Sequence, residues 1–217
     1  MKNIIISILI LPAVCIFCIS CTEQPAPPVP VLEKRGNATQ LIVDGEPFLV
    51  LGGELHNSSS TSREYMKEYW PVLKNSGMNT VLAAVEWSLL EPLEGKFNFS
   101  VVDELLADAR KNDLKLILLW FGSWKNGQSH YMPEWVKKDY VRFPRVKAEN
   151  GKSLEILSIF GNETLEKDSK AFSAMMKHLA ENDSQSRTVI MVQVQNEVGI
   201  IGSPRDHSDA ANSAFNS

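Results

Sequence analysis

Four short apolar runs, each followed by a segment of different character, constrain this chain more than anything else in it. They are Phe48–Gly53, Thr80–Val85, Leu114–Trp120 and Thr188–Val194. Runs of this length without polar alternation belong to strands buried on both faces. Helical patterns separate them. Thr61-x-x-Glu64 is a capping-box signature, followed by Tyr65, Tyr69, Val72 and Leu73 at helical spacing, with Pro71 as an expected interruption. Ser100-x-x-Asp103 opens a second helix with Val102, Leu105, Leu106 and Ala109 on one face. A third, from about Thr164 to Glu181, carries Leu165, Phe172, Met175 and Leu179. Strands alternating with amphipathic helices define the α/β class and a parallel sheet.

A doubly wound sheet and a (β/α)8 TIM barrel both have this pattern. Two observations favour the barrel. No Gly-rich phosphate loop follows any of the strands, as nucleotide-binding sheets often show. Polar and aromatic residues gather just after each strand: Glu54 and His56, Glu86 and Trp87, Trp120 and Trp124, Asn196 and Glu197. Those are the strand ends where barrels place their chemistry. A complete barrel has eight strands in about 250 residues, so the chain is expected to supply the first four β/α units. Half a barrel leaves two unpaired strand edges, which predicts a marginal monomer. Between Trp120 and Thr164 lies a connection far longer than usual, carrying Trp124, Asn126, His130, Tyr131 and Trp135; such a loop is expected to wall a cleft.

Ahead of the barrel the composition changes. Lys2, an apolar run from Ile4 to Phe17 and Ser20 before Cys21 have the layout of a secretory signal. Cys18-Ile19-Ser20-Cys21 resembles a lipobox, which implies lipidation at Cys21 and an exported protein anchored to a bacterial membrane. Residues 22–39 are Pro-rich at their start and are expected to be an extended tether, with the folded part beginning near Gln40. All three cysteines lie at or before residue 21, so neither a disulfide nor a thiolate metal site is expected in the folded part. No His/Asp/Glu set has metal-ligand spacing, and no cofactor is expected. A net charge of −4 argues against nucleic acid as a partner, because phosphate binding needs clustered Lys and Arg.

Glycosidic bond cleavage needs one carboxylic acid to protonate the leaving oxygen and a second carboxylate to attack carbon or activate water. Glu197 fits the acid by its place after a buried strand. The segment Gln193-Val194-Gln195-Asn196-Glu197-Val198-Gly199 resembles the fourth strand of the retaining barrel β-galactosidases of glycoside hydrolase families 35 and 42. Other segments resemble family 35 in the same order: Asp44-Gly45-Glu46-Pro47-Phe48 with Gly52-Gly53-Glu54-Leu55-His56, then Asn79-Thr80-Val81 with Glu86-Trp87 and Glu91–Phe99, then Met132-Pro133-Glu134-Trp135. The resemblance implies that Glu197 is the acid/base, that Asn196 hydrogen-bonds the sugar, and that a nucleophilic Glu ends a seventh strand. No Glu follows Glu197 in this chain, so the 217 residues alone are expected to be inactive. The other sugar-facing candidates are Glu54, His56, Glu86, Trp87, Trp124 and Asn126. Glu91 and Glu94, in a Pro/Gly-containing loop, are expected to be solvated.

Departures from the family pattern concern the sugar pocket. Asn57 follows His56 where family 35 has a Tyr close by. Gly122-Ser123-Trp124-Lys125-Asn126 stands where that family has Gly-Pro-Tyr and a sugar-binding Ala-Glu, so Trp124 and Asn126 are candidates to replace them, the Trp by stacking on a sugar face. A competing function is a membrane-tethered lipoprotein that binds carbohydrate without cleaving it.

Overall fold

The computed structural model describes residues 26–217. The signal and lipobox expected over residues 1–21 lie outside them. Ordered strand structure begins at β1 (Val31–Arg35), which pairs antiparallel with β2 (Ala38–Val43). The tether expected through residue 39 is therefore too long. Every residue of β1 is exposed, so backbone pairing rather than burial orders it, and hydrophobic patterning gives no warning of it. After β2 the chain reverses through Asp44 (φ 53°) and Gly45 (φ 86°) into β3 (Glu46–Pro47). Asp-Gly is the pair that tolerates positive φ at both central positions of a hairpin turn.

The parallel sheet follows. Its first strand, β4 (Gly52–Glu54), leads through a 3-10 turn at Ser59–Thr61 into α1 (Arg63–Met66) and α2 (Tyr69–Asn75). Next come β5 (Thr80–Glu86), α3 (Trp87–Leu90), α4 (Ser100–Lys111) and β6 (Lys115–Phe121). The long connection holds α5 (Glu134–Lys138) and the hairpin β7 (Arg145–Lys147) with β8 (Ser153–Leu157). The chain then runs through α6 (Asn162–Asn182), β9 (Val189–Val194) and α7 (Asp209–Phe215). Strand order is β4-β5-β6-β9, every neighbouring pair parallel.

The two faces of this sheet are packed differently. Val81, Ala83 and Val85 of β5 with Leu116, Leu118 and Trp120 of β6 meet the helices through Leu105, Leu106 and Met175. Ala84, Ile117, Leu119, Phe121 and Ile190 point the other way, toward the barrel interior. There Val43, Leu41 and Phe48 of the N-terminal hairpin pack against them, and Asp44 pairs with Lys115 at the start of β6 at 2.8 Å. The hairpin thus covers the N-terminal end of the sheet, leaving the opposite rim for chemistry.

Several local expectations shift. The α1 cap is Ser62, whose side chain accepts from Tyr65 N, not Thr61. A break at Lys67–Glu68, one turn before Pro71, divides the helix as expected, but Met66 and Trp70 are the buried residues while Tyr65, Tyr69 and Val72 are exposed. The stripe was phased for one continuous helix and lies one position away. Of the run Phe48–Gly53 only Gly52 and Gly53 enter the sheet, and Leu49 and Leu51, ahead of the strand, are 75% and 52% exposed. The long connection is largely built into the core through Met132, Val136, Phe143 and Leu157; only part of it reaches the rim.

Candidate active site

Parallel registry places the candidate residues at different depths of one rim. Glu86 lies opposite Phe121, and Trp120 opposite Val194, so Glu86 and the segment just after β9 share a level. Glu54 lies opposite Leu82, four residues before Glu86. At about 3.3 Å per residue that is roughly 13 Å deeper along the strand direction.

Glu197 stands on a backbone held in an unusual shape. Gln195 and Glu197 both have positive φ, 62° and 48°, which costs a non-glycine residue on the order of 1 kcal/mol. Surrounding bonds hold this conformation in place. Gly127 N donates to Glu197 O at 2.8 Å, and Ile201 N donates back to Gly127 O at 3.3 Å. The Gln195 side chain accepts from Trp124 N at 3.0 Å and donates to the Asp168 carboxylate. Asp168, 5% exposed, also accepts from Trp120 Nε1 at 2.7 Å and from Ser123 N and Oγ at 2.9 and 2.5 Å. One buried carboxylate on α6 therefore ties the end of β6 to the end of β9. A Cβ at Gly122 would collide with both the Trp120 indole N and that carboxylate, so glycine is required there.

The Glu197 carboxylate itself is 64% exposed, with Lys125 Nζ 3.8 Å from Oε2. Lys125 donates to Asn196 Oδ1 at 2.8 Å, and its ammonium lies 5.0 Å from the centre of the Phe121 ring. Sequence patterning missed Lys125, Gln195 and Asp168. Asp168 did leave a trace: it sits on the buried stripe Thr164, Asp168, Ala171, Met175, Leu179 of α6, where a carboxylate must be satisfied internally.

At the end of β5, Glu86 is 9% exposed and accepts from Ser58 Oγ and Ser88 Oγ, each at 3.3 Å. Burial raises its pKa, while the two hydroxyls and the charge of Lys137 pull the other way. Trp87 is fully buried, with Nε1 on Glu91 Oε2 at 2.8 Å and its ring edge-on to Trp135 at 5.8 Å. It is a core residue and not a platform at the barrel mouth. Glu91 is not solvated either: it is 1% exposed and also accepts from Gly95 N at 2.7 Å. It anchors the loop that follows. Glu94 is exposed, as expected, and lies in a cluster with Arg142 and Lys167.

Glu54 and His56 are both exposed at the β4 end, and among the described residues neither side chain makes a hydrogen bond. Asn126 is exposed with φ 55°, the first central residue of a tight turn completed by Gly127 at φ 64°. Trp124 is half-buried and borders two cavities, of about 530 and 360 Å³. The larger is apolar, lined by Val146, Leu157, Phe160, Val198 and Phe215; Glu197, Asn196, Glu86, Glu54 and His56 border neither. The structure gathers Asn196 and Glu197 around Lys125, leaves Asn126 exposed on the neighbouring turn, and places the Trp124 indole beside different neighbours. No group of three His, Cys, Asp or Glu side chains among the described residues is arranged to hold a metal ion.

A parallel α/β sheet whose fourth strand is followed at the rim by Asn-Glu defines the class: a (β/α)8-barrel glycoside hydrolase, of which this chain supplies roughly the first four units. The family model described as beta-galactosidase of glycoside hydrolase family 42 matches residues 56–217. The chain belongs to that family. Beta-galactosidase 13 of Arabidopsis thaliana is 29% identical over 176 residues, covering 76% of this chain and 19% of that protein. The beta-galactosidase of Xanthomonas manihotis is 35% identical over 83 residues, 37% of this chain and 14% of that protein. The chain thus spans a fifth or less of these relatives. Among solved structures, the catalytic domain of a beta-amylase from Paenibacillus polymyxa superposes with a TM-score of 0.56 over 76% of this chain and 44% of its own, at 18% identity, a likeness of fold alone.

Proposed function

We propose that Glu197 is the general acid/base of a retaining β-galactosidase-type hydrolase acting on terminal β-glycosidic bonds. The observation that carries this reading is an exposed carboxylate fixed on a strained backbone directly after the fourth barrel strand, next to an Asn. In the first step Glu197 gives its proton to the glycosidic oxygen as a carboxylate nucleophile bonds to the anomeric carbon and the aglycone leaves. In the second, Glu197 takes a proton from water, water oxygen bonds to the anomeric carbon, and the nucleophile is released with the sugar's configuration retained. The family resemblance implies that the nucleophile is a Glu ending a seventh strand.

Substrate choice follows the altered loop after β6. Gly122-Ser123-Trp124-Lys125-Asn126 brings a cation and a carboxamide to the rim beside the Asn196 carboxamide, so a sugar with acceptor hydroxyls on that side is the expected ligand. The test uses the shortest polypeptide containing residues 26–217 that hydrolyses an aryl β-galactoside. Glu197→Ala should lower kcat on a methyl or nitrophenyl galactoside by about 10²–10⁴-fold. On a dinitrophenyl galactoside, whose leaving group needs no proton, bond cleavage should be nearly unchanged. Equal losses on poor and good leaving groups would refute the acid assignment.

A further inference from the structure

Resting on the reading of Asn196-Glu197 as the sugar-facing pair, we infer that Lys125 is a positioning residue that fixes which end of the Asn196 carboxamide faces the cleft. The chemistry is one-directional. An ammonium has three donors and no acceptor, so the amide group turned toward it must be the oxygen. Lys125 Nζ is 2.8 Å from Asn196 Oδ1, which leaves Nδ2 with its two protons for the other side. Among the described residues Nδ2 has no protein acceptor, and it is not among the buried orphan atoms, so it stands open to solvent. Asn196 is thereby restricted to donating to a ligand, and the ligand atom it selects is an acceptor such as a sugar hydroxyl oxygen.

The ammonium is itself immobilised. Its side chain is 9% exposed and lies over the Phe121 ring, with Glu197 Oε2 at 3.8 Å as countercharge. Its backbone is locked by the turn in which Lys125 N donates to Gln128 O at 2.8 Å and Gln128 N donates back at 3.1 Å. The same turn holds the Glu197 carbonyl through Gly127 N. Side chain and backbone of one four-residue turn therefore set both members of the pair.

The test reads the Asn196 carboxamide directly in the full chain, by nitrogen-15 nuclear magnetic resonance, with Asn196→Ala assigning the signal. The wild-type side-chain amide protons should be dispersed and slow to exchange. Lys125→Met should move them to the position of a free amide, and Lys125→Arg should restore them. Should Lys125→Met fail to fold, Lys125→Gln, which can both donate and accept, is expected to give two amide orientations. An Asn196 signal indifferent to all three variants would overturn the inference. In calorimetry of the shortest polypeptide containing residues 26–217 that hydrolyses an aryl β-galactoside, titrated with a galactose-configured iminosugar, Lys125→Met and Asn196→Ala should each weaken binding about tenfold. The double variant should be no weaker than Asn196→Ala alone, and additive losses would overturn a role exerted through Asn196. If that hydrolytic polypeptide binds no galactose-configured iminosugar, the galactosidase reading fails, while the amide signal still decides the role of Lys125.

Discussion

Glu86 shows at the scale of a single residue how a site can oppose stability. Its carboxylate is nearly buried and receives only two hydroxyl donors at 3.3 Å, and burial raises its pKa above the ordinary 4.5. A carboxyl that holds its proton more tightly when folded makes the folded state less stable as pH rises through that window, because the native state then binds more protons than the unfolded one. Glu86→Gln should accordingly raise Tm at pH 7 by a few degrees. That gain should vanish below about pH 4, where Glu86 is protonated in both states. Thermal melts at the two pH values measure it, and an equal effect at both would show that ionisation is not the cause. Such a residue, costly where it stands and facing the rim, fits a carboxylate kept for a ligand.

Single elements account for most of what was legible in the sequence and most of what was not. The stripe Val102, Leu105, Leu106 and Ala109 on α4 is buried as its spacing predicts, because a long helix between two buried strands has one apolar face and no competing partner. The paired helices α1 and α2 defeat the same reasoning, since a break before Pro71 resets the phase. Edge strand β9 exposes Met191 and Val194, and Leu49 lies exposed ahead of β4; an apolar run carries no sign of how many neighbours it will have. In the site, the Asn196-Glu197 pair was readable from its place after a strand. Lys125 was not, since only a turn at positive φ brings it there, and Trp87 was misplaced because alternation alone does not say whether an aromatic after a strand faces rim or core.

Between elements, Arg142 joins Glu94 at 2.7 Å and Glu163 at 3.1 Å, and Lys167 adds to Glu94 at 3.3 Å. The cluster ties the loop before α4 to the start of α6. The Arg142 guanidinium, helped by Lys167, lowers the Glu94 pKa to about 2. A depressed carboxyl contributes stability above its unfolded pKa and loses it as pH falls toward the folded one. Glu94→Gln should therefore destabilise at pH 6, within the range of about 0–1 kcal/mol for solvent-screened pairs. Its difference from wild type should shrink steadily between pH 4.5 and pH 2. Urea titrations across that range check it, and a difference that grew on acidification would contradict the assignment.

For the whole molecule, the N-terminal hairpin covers one end of the four-stranded sheet and the opposite rim carries Glu86, Asn196 and Glu197. In the proposed reading that rim holds the acid/base, Glu197, whose backbone is set in place by a buried carboxylate on α6 and a turn after β6. The most direct measurement of the central claim is chemical rescue of Glu197→Ala by azide, in the shortest polypeptide containing this segment that hydrolyses a dinitrophenyl β-galactoside. Without its base the variant cannot activate water, so glycosyl-enzyme should accumulate. Azide, which attacks without losing a proton, should restore turnover and yield β-galactosyl azide, the retained configuration. No rescue, or an azide product of inverted configuration, would contradict the assignment of Glu197 as the acid/base of a retaining enzyme.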